Sequence, residues 1–300
     1  MKLLVLINAA AGSASGQDRA GKITAAFERH GVDAIVRLLS GAEIAAAARD
    51  FVKVQSKGGG DGREMLAVAG GDGTISAAAS AFAGTDLPLG ILPLGTLNHF
   101  ARDLGLPTDI KEAVEVIAGL SERRVDVAEM NDRIFINNSA IGLYPLMILD
   151  RDLQRKRLGR SKRLAMIVAS VRTLVRFNHQ RLTLTVNDEK AGIDTPLLFV
   201  GNNDYRIDLG AAGQRESVED GRLSVFVMRK KTRRGLIASS IRALFNRARR
   251  DDMVQLEGVE RLRVASRRST LAVSLDGEVV RSAPPLDYKI RKKALRVIAP

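Results

Sequence analysis

A glycine-rich segment, Gly70-Gly71-Asp72-Gly73-Thr74, follows an apolar run and precedes a helical pattern. Unhindered backbone N–H groups and the first turn of a helix would converge there, an arrangement that binds phosphate. Asp72 could then reach a phosphate-bound Mg²⁺, because Mg²⁺ takes carboxylate oxygen as a ligand. The alternative is a structural strand-to-helix turn in which Asp72 or Thr74 caps the helix. The segment therefore predicts either a phosphate site or a tight turn.

Two further loops leave predicted strands in the equivalent position. One begins at Asn8 and contains Gly12; its small residues would let the backbone approach a nucleotide, but it lacks the lysine of a Walker A loop. The other, residues 93–101, offers the Thr96 hydroxyl and the Asn98 amide, unless Thr96 only caps the next helix. Because the carboxyl ends of parallel strands share one edge of a sheet, three such loops predict a ligand site at that edge.

The elements that would position these loops alternate between strand and helix over residues 1–125. The predicted strands are Leu3–Ile7, Ala34–Leu39, Met65–Ala69 and Leu89–Leu92. The predicted helices are Gln17–His30, Ala42–Val54, Ser76–Ala83, Leu97–Leu104 and Ile110–Leu120. This rhythm predicts an α/β domain, a parallel sheet flanked by helices.

Closely spaced strand signals dominate residues 126–300 and predict a mainly antiparallel β-sandwich. They lie at Ile134–Asn137, Leu182–Val186, Leu197–Val200, Leu223–Val227, Leu262–Val264, Leu271–Leu275 and Val279–Arg281. Two basic amphipathic helices, near residues 160–176 and 236–250, are predicted to dock on the sandwich or to lie against anionic lipid. The last strand-like segment, residues 295–298, either closes this domain or returns to the first.

Composition excludes several kinds of chemistry. The chain has 300 residues, 45% of them hydrophobic, with no cysteine and three histidines. Disulfides, thiolate nucleophiles and cysteine-ligated metals are therefore excluded, and the histidines lack the spacing of a metal site. The apolar start is predicted to be a strand rather than a signal peptide, and the longest later apolar stretch is too short to span a bilayer. Chemistry must come from carboxylates, hydroxyls, amides and the backbone.

The charge is concentrated in the second half of the chain. Lys+Arg 47 and Asp+Glu 34 give a net charge of +13. Residues 1–125 hold 13 basic and 14 acidic side chains, whereas residues 126–300 hold 34 and 20, a net charge of +14. This asymmetry predicts a polyanionic partner for the second half. Aromatic residues at 4% offer few stacking platforms, which favours an anionic membrane over nucleic acid.

Taken together, these motifs resemble the diacylglycerol kinase catalytic-domain family of lipid kinases. The resemblance rests on Gly70–Thr74, on Pro93-Leu94-Gly95-Thr96-Leu97-Asn98, on Asn8 to Gly12, and on Asp276-Gly277-Glu278 near the end. It covers essentially the whole chain; NAD kinases and 6-phosphofructokinases share the first kind of motif but not the second. It implies an ATP-binding α/β domain of the NAD kinase type over residues 1–125 and a β-sandwich acceptor domain over residues 126–300.

The resemblance also implies roles for individual residues. An ATP site would be formed by Asn8, Gly12, Ser40, Gly70, Gly71, Asp72, Gly73, Thr74, Thr96 and Asn98. Asp276 and Glu278 would take the proton from the acceptor hydroxyl, although an Asp-Gly pair between two strands is also an ordinary hairpin turn.

A structural Mg²⁺ would be held by Asp220 with the carbonyl groups of Ser217 and Arg222, although Asp220-Gly221 is likewise compatible with a simple turn. Two positions depart from the family pattern. The usual Asn-Pro start is Asn8-Ala9 here, and the usual Asn-Asp pair is Asn98-His99.

The function expected from the resemblance is transfer of the γ-phosphoryl group of ATP to a lipid hydroxyl, with ATP and Mg²⁺ as cofactors and diacylglycerol as the default acceptor. We expect a cytoplasmic protein that contacts an anionic membrane peripherally, and a homodimer is left open. A sphingoid base, a phosphatidylglycerol-like lipid or a polyprenol are alternative acceptors. A non-catalytic basic protein that binds lipid or nucleic acid is the alternative of a different class; the presence of Asp72, Asp276 and Glu278 argues against it.

Overall fold

The computed structural model describes residues 2–11, 16–57, 64–158, 168, 172, 179–186, 188–206, 214–215, 217–229 and 253–300. The chain divides into two compact units, which we call the first unit and the second unit. The first unit contains Met1–Val127, Ser217–Glu219 and Arg291–Pro300. The second unit contains Ala128–Glu216 and Asp220–Ile290. The boundary after Val127 lies two residues from the predicted one.

Strands and helices alternate in the first unit. Its strands are β1 (Lys2–Asn8), β2 (Asp33–Leu39), β3 (Glu64–Gly70) and β4 (Pro88–Pro93). Its helices are α1 (Gly16–Arg29), α2 (Gly41–Ser56), α3 (Asp72–Phe82), α4 (His99–Asp103) and α5 (Ile110–Gly119). Every strand and helix predicted for this region is present, and the predicted α/β architecture is confirmed.

The four strands form a parallel sheet in the order β2-β1-β3-β4. Lys2 pairs with both Asp33 and Glu64, so these three strands begin in register. Their carboxyl ends consequently meet at one edge, as the sequence predicts. Apolar side chains of α1, including Ile23 and Phe27, pack in a buried cluster with residues of the sheet and of α5. This core holds the edge in place.

Two helices begin at residues other than the predicted ones. Helix α3 was expected from Ser76 but starts at Asp72, because Gly71 is extended at the N-cap and the helix follows at once. Helix α4 was expected from Leu97 but starts at His99, because Asn98 takes a left-handed conformation with φ +48°. The first shift places the start of α3 within the Gly70–Thr74 segment.

The second unit is built from antiparallel strands. Its elements are β5 (Glu122–Met130), which begins in the first unit, β6 (Arg133–Phe135), β7 (Asn138–Gly142), α6 (Leu143–Leu158), β8 (Gln180–Val186), β9 (Glu189–Thr195), β10 (Leu197–Asn202), β11 (Tyr205–Arg206), β12 (Gln214–Arg215), β13 (Leu223–Met228), β14 (Met253–Val259), β15 (Arg261–Ser266), β16 (Leu271–Leu275), β17 (Glu278–Ser282) and β18 (Leu286–Ile298), which ends in the first unit.

These strands form the predicted sandwich. One layer has the order β14-β13-β10-β7-β16-β17, and the other contains β18, β15, β8 and β9 in that order. Side chains from both layers, such as Val225 of β13 and Leu262 of β15, share one buried core. The end of β18 belongs to the first unit, where Arg296 and Val297 pair in parallel with β4.

Sequence patterns missed seven of the described elements, namely β5, β7, β9, β11, β12, β14 and α6. Strands β5, β9 and β14 have alternating or mainly exposed polar residues, so no apolar run announces them. Helix α6 was not predicted either. The two predicted basic helices lie outside the described residues, apart from Val168 and Arg172. Among the described helices, none combines the length and apolar character that crossing a bilayer requires.

Candidate functional site

A hydrogen bond joins two of the predicted loops at the carboxyl edge of the first unit. Asn8, the last residue of β1, donates from Nδ2 to the Thr74 hydroxyl at 2.7 Å. The side-chain Oδ1 of Asn8 accepts from the Ala10 N–H at 2.9 Å, which turns the chain away from the strand. Thr74 is buried in the first turn of α3. The structure therefore brings Asn8 and the Gly70–Thr74 segment together.

The Gly70–Thr74 segment is not a side-chain-capped turn. Gly71 is the N-cap of α3 and makes no side-chain cap bond, so the alternative in which Asp72 or Thr74 caps the helix is wrong. The Gly71 carbonyl instead accepts from the N–H groups of Thr74 and Ile75. A helix start without a side-chain cap leaves early backbone N–H groups for other partners, and its dipole favours an anion.

Three glycines, Gly70, Gly71 and Gly95, form what we call the glycine cradle. A Cβ atom on Gly70 would lie 2.6 Å from the Thr74 Cβ, and one on Gly95 would lie 2.6 Å from the Gly71 Cα. Two loops thus touch backbone to backbone, and no larger residue fits at these positions without displacing them. The Leu94 N–H also donates to the Gly70 carbonyl at 2.9 Å. The result is a backbone surface that a phosphate can approach.

The Asn98 side chain fixes the conformation of the loop that contributes Gly95 to the cradle. Its Oδ1 accepts from the Gly95 N–H at 2.8 Å, and its Nδ2 donates to the Gly95 carbonyl at 3.0 Å. Asn98 is 4% exposed, so its amide is committed to the loop. Thr96, by contrast, is exposed and does not cap α4, whose N-cap is Asn98. The two residues expected to complete the ATP site therefore occupy different environments.

Asp72 ties the start of α3 to that of α4. Its Oδ1 accepts from the Phe100 N–H at 3.2 Å. A carboxylate at this position fits a Mg²⁺ ion that takes one protein carboxylate and shares its remaining ligands with phosphate oxygens and water. No group of three His, Cys, Asp or Glu residues suited to a metal ion occurs in the described part of the chain. A cage made by the protein alone is thus not observed among those residues.

Ser40 lies beside Asn8 but is engaged in a helix cap. Leu39 pairs with Asn8 in the sheet, and Ser40 is the N-cap of α2 in a capping box with Glu43. Hydrogen bonds from the backbone and side chain of Ser40 lower the pKa of the Glu43 carboxyl. A Cβ on Gly41 would lie 3.9 Å from Asn8 Nδ2, so the start of α2 adjoins the same edge. Gly12, predicted for this site, lies outside the described residues.

In the second unit, Asp276 and Gly277 form the two-residue turn between β16 and β17. Both have positive φ, +46° and +85°, which is typical of the tightest hairpin turns. The Asp276 carboxylate accepts three backbone N–H groups from a distant segment: Ile136 on Oδ2 at 2.9 Å, and Asn137 and Asn138 on Oδ1 at 2.8 and 3.0 Å. Asp276 is therefore a turn residue and also an anchor.

Glu278 differs from Asp276 in its surroundings. It is the first residue of β17 and is exposed, whereas Asp276 is partly buried and bound by three amides. A base must have an accessible lone pair within reach of the proton that it removes. Of the two carboxylates predicted to act together, Glu278 has the exposure of a base and Asp276 has the contacts of a positioning residue.

Arg215 is a central residue of the second unit that sequence reasoning missed. It is 7% exposed, and its Nη1 donates to the carbonyl groups of Ile136 and Asn202 at 2.7 and 3.0 Å. Its Nη2 donates to Asn137 Oδ1 at 3.1 Å. Arg215 thus holds the segment that binds Asp276. An arginine in a polar stretch carries no sequence signal for such a role.

The residues predicted to hold a structural cation are engaged with the protein. Asp220 Oδ2 accepts from the Asp204 N–H at 3.1 Å, and the Arg222 carbonyl accepts from the Asn203 N–H at 3.0 Å. The Ser217 hydroxyl accepts from the Glu219 N–H at 3.0 Å. Ser217 belongs to the first unit, whereas Asp220 and Arg222 belong to the second. A cation at these residues stays a prediction.

A parallel sheet with backbone-lined loops at its carboxyl edge, followed by an antiparallel sandwich, is the architecture of an α/β domain joined to a β-sandwich domain. Residues 2–130 match the diacylglycerol kinase catalytic domain, and residues 150–299 match the YegS C-terminal NAD kinase beta sandwich-like domain. The chain belongs to the diacylglycerol kinase catalytic-domain family of lipid kinases. The expected family is confirmed.

Relatives match this chain to different extents. A Synechocystis sp. (strain ATCC 27184 / PCC 6803 / Kazusa) protein of unassigned function is 28% identical over 80% of this chain, which spans about half, 56%, of that relative. A diacylglycerol kinase of Staphylococcus carnosus (strain TM300) is 47% identical over 83 residues, 26% of each chain. A second S. carnosus protein, named as a candidate lipid kinase, is 23% identical over 98% of this chain and 95% of its own.

The fold also matches a solved structure. A crystal structure of a candidate diacylglycerol kinase from Bacillus anthracis str. Sterne superposes with a TM-score of 0.75, covering 100% of this chain and 97% of the other at 21% identity. At 21% sequence identity, this similarity shows a shared fold.

Proposed function

We propose that this chain transfers the γ-phosphoryl group of ATP to the hydroxyl group of a lipid, with diacylglycerol as the acceptor and Mg²⁺ as cofactor. The observation that supports it most is the edge of the first unit, where Asn8 bonds Thr74 and the glycine cradle presents backbone beside the start of α3. Phosphoryl transfer requires positioning and charge stabilisation more than covalent chemistry by the protein. A backbone-lined site at a helix start suits both requirements.

In the nucleotide half of the reaction, the residues of the first unit bind and orient phosphate. The cradle admits the phosphate oxygens, and Asn8 and Thr74 fix the adjoining loops to each other. We assign the binding of Mg²⁺ to the Asp72 carboxylate, whose Oδ1 also accepts from the Phe100 N–H. When bound there, Mg²⁺ would supply charge neutralisation for the phosphate groups.

In the acceptor half, the second unit supplies the base. We assign to Glu278 the removal of the proton from the acceptor hydroxyl as its oxygen bonds to the γ-phosphorus and the bond to the ADP oxygen breaks. Asp276 fixes the turn that carries Glu278 through its three amide contacts. The proton remains on the Glu278 carboxylate until it is lost to water.

The charge distribution supports a peripheral location at an anionic lipid surface on the cytoplasmic side. Residues 126–300 carry a net charge of +14, and juxtamembrane basic residues each contribute on the order of 1 kcal/mol of attraction to such a surface. The surface that attracts the basic residues would also contain the lipid acceptor.

The test is label transfer from γ-labelled ATP with Mg²⁺ to mixed micelles that carry diacylglycerol, a sphingoid base, phosphatidylglycerol or a polyprenol. We expect label in diacylglycerol; label only in another lipid would replace the acceptor, and label in none would overturn the proposal. Asp72→Asn should abolish transfer while keeping an Oδ1 acceptor for Phe100.

The matched control for that variant is Asp109→Asn. Asp109 also accepts backbone N–H groups at a helix start in the first unit, as the N-cap of α5. It should keep wild-type activity, because asparagine caps a helix as well as aspartate does.

A further inference from the structure

Helix α1 carries a buried charge on its core-facing side. Its buried residues are Arg19, Ile23, Ala26 and Phe27, of which the last three are apolar. Arg19 is 6% exposed, and its Nε and Nη1 atoms have no hydrogen-bond partner among the described residues. The neighbouring Asp18 carboxylate accepts instead from the Lys22 ammonium at 2.9 Å.

An arginine in this state is unfavourable by itself. A guanidinium keeps its charge at neutral pH, so burial cannot be relieved by loss of a proton. Buried charges in proteins are normally paired or hydrogen-bonded, because an unsatisfied donor retains its full desolvation cost. A bound anion that accepts hydrogen bonds from the Arg19 guanidinium would remove this cost.

Arg19 lies where an anion is favoured for independent reasons. It is in the first turn of a 14-residue helix, whose N-terminus attracts negative charge. The Cα–Cβ bonds of a helix tilt toward its N-terminus, so a side chain at the position of Arg19 starts out in the direction of that end. A Cβ on Gly16, the first residue of α1, would lie 3.1 Å from Leu38 Cδ2.

Leu38 in turn locates this helix start on the sheet. It pairs with Ile7, one residue before Asn8, so α1 begins beside the carboxyl ends of β1 and β2. That is the edge that holds Asn8 and the start of α2. A phosphate bound there would be within the same loop cluster as the site described above.

We propose that Arg19 binds a phosphate group at the N-terminus of α1. If the group belongs to ATP, the inference extends the proposed function and rests on it; a free phosphate ion offers the same chemistry. In either case two guanidinium N–H groups donate to phosphate oxygens, and the buried donors gain acceptors.

The test compares Arg19→Met and Arg19→Lys in the full chain, with Arg29→Met as matched control. Arg29 is an exposed arginine at the other end of α1. Binding of ATP, of adenosine and of inorganic phosphate is measured by calorimetry, and thermal unfolding is followed with and without each ligand.

For Arg19→Met, we expect an affinity for ATP or for phosphate that is roughly 10- to 100-fold lower, with adenosine binding unchanged. The unliganded variant should unfold at the wild-type temperature or higher, because it lacks the buried charge. Arg19→Lys should recover part of the affinity, and Arg29→Met should bind as the wild type does. Loss of ATP affinity identifies the nucleotide as the source, whereas loss of phosphate affinity alone identifies the free ion.

The inference is overturned if Arg19→Met lowers the unfolding temperature of the unliganded protein while its affinities for ATP and phosphate stay at wild-type values. If the wild type binds no ATP, the nucleotide part of the proposed function fails. The phosphate arm then decides the role of Arg19 separately: a loss in Arg19→Met supports it, and an unchanged affinity refutes it.

Discussion

In the first unit, the glycine cradle is made of backbone: Gly71 and Gly95 touch, and the Asn98 side chain bonds Gly95 three residues away. In the second unit, the candidate site depends on side chains that contact residues distant in sequence. The Asp276 carboxylate binds amides 138 to 140 residues earlier in sequence. The cradle is formed by backbone atoms of two loops, whereas the Asp276 contacts join one side chain to a segment far away in sequence.

This difference teaches how each half tolerates change. A backbone site is sensitive to added volume, because no side chain can move aside to make room. A site fixed by long-range hydrogen bonds is sensitive to the loss of a partner, because buried donors are then left unsatisfied. We therefore expect each unit to be destabilised by a different kind of substitution.

The largest expected effect is on chemistry in the second unit. Glu278→Gln removes the exposed carboxylate at the start of β17, and we expect kcat to fall about 10²- to 10⁴-fold, as for loss of a general base. KM for ATP and the unfolding temperature should not change. Glu189→Gln, an exposed acid at the start of β9, is the control. A kcat within twofold of wild type would remove Glu278 from the mechanism.

The next effect is on the glycine cradle. In Gly95→Ala, the new Cβ would lie 2.6 Å from both the Gly71 Cα and Asn98 Oδ1. We expect a loss of roughly 1–3 kcal/mol in the free energy of unfolding and weaker ATP binding. Gly21→Ala, where no atom lies within 4 Å in α1, should instead stabilise by about 0.5–1 kcal/mol. Equal unfolding curves for the two variants would contradict the close approach.

A smaller effect should follow from weakening the long-range anchor. Asp276→Asn replaces a charged acceptor of three N–H groups by a neutral amide, and we expect a loss of roughly 1 to 2 kcal/mol in stability. Denaturant unfolding measures it. The control is Asp188→Asn, an exposed aspartate with φ +68° in the β8–β9 turn. If both variants lose the same amount, the amide contacts contribute nothing specific.

The smallest effect concerns an exposed ion pair in the second unit. The Arg263 guanidinium, bonded to Asp287 at 2.6 Å, holds the pKa of that carboxyl below its ordinary value of 3.8. The resulting contribution to the free energy of unfolding is present above the unfolded-state pKa of Asp287. It is lost as the pH falls through the lower pKa that Asp287 has in the folded state. It amounts to a few tenths of a kcal/mol, because solvent screens the pair. Asp287→Asn should remove this pH dependence below about pH 4, and added salt should diminish it in the wild type.

Sequence patterns predicted the first unit almost completely. Strands β1, β3 and β4 are apolar runs that end in asparagine, glycine or proline, and local patterns are sufficient to locate them. The strand-to-helix turn at Gly70–Thr74 was also predictable, because consecutive residues specify such a turn; phosphate binding by it stays a prediction. The second unit was predicted in outline, but the polar strands β9 and β14 were missed, since pairing with neighbours forms them rather than their own hydrophobicity.

Roles within the site were less predictable than the site itself. Asn98 was expected to complete the ATP site, yet its amide bonds Gly95; Arg215 had no sequence signal and proved to hold the segment that binds Asp276. Both outcomes depend on which way a side chain points after packing.

By itself, the sequence determined the class of fold, the edge of the sheet at which loops gather and the family, because these depend on periodicity and on runs of neighbouring residues. Only the tertiary structure decided that Asp276 is bound by three amides, that the two glycine loops touch and that Arg19 is buried without a partner among the described residues. The physical reason is that a hydrogen bond or a burial depends on atoms brought together from distant parts of the chain, and residue spacing does not contain that information.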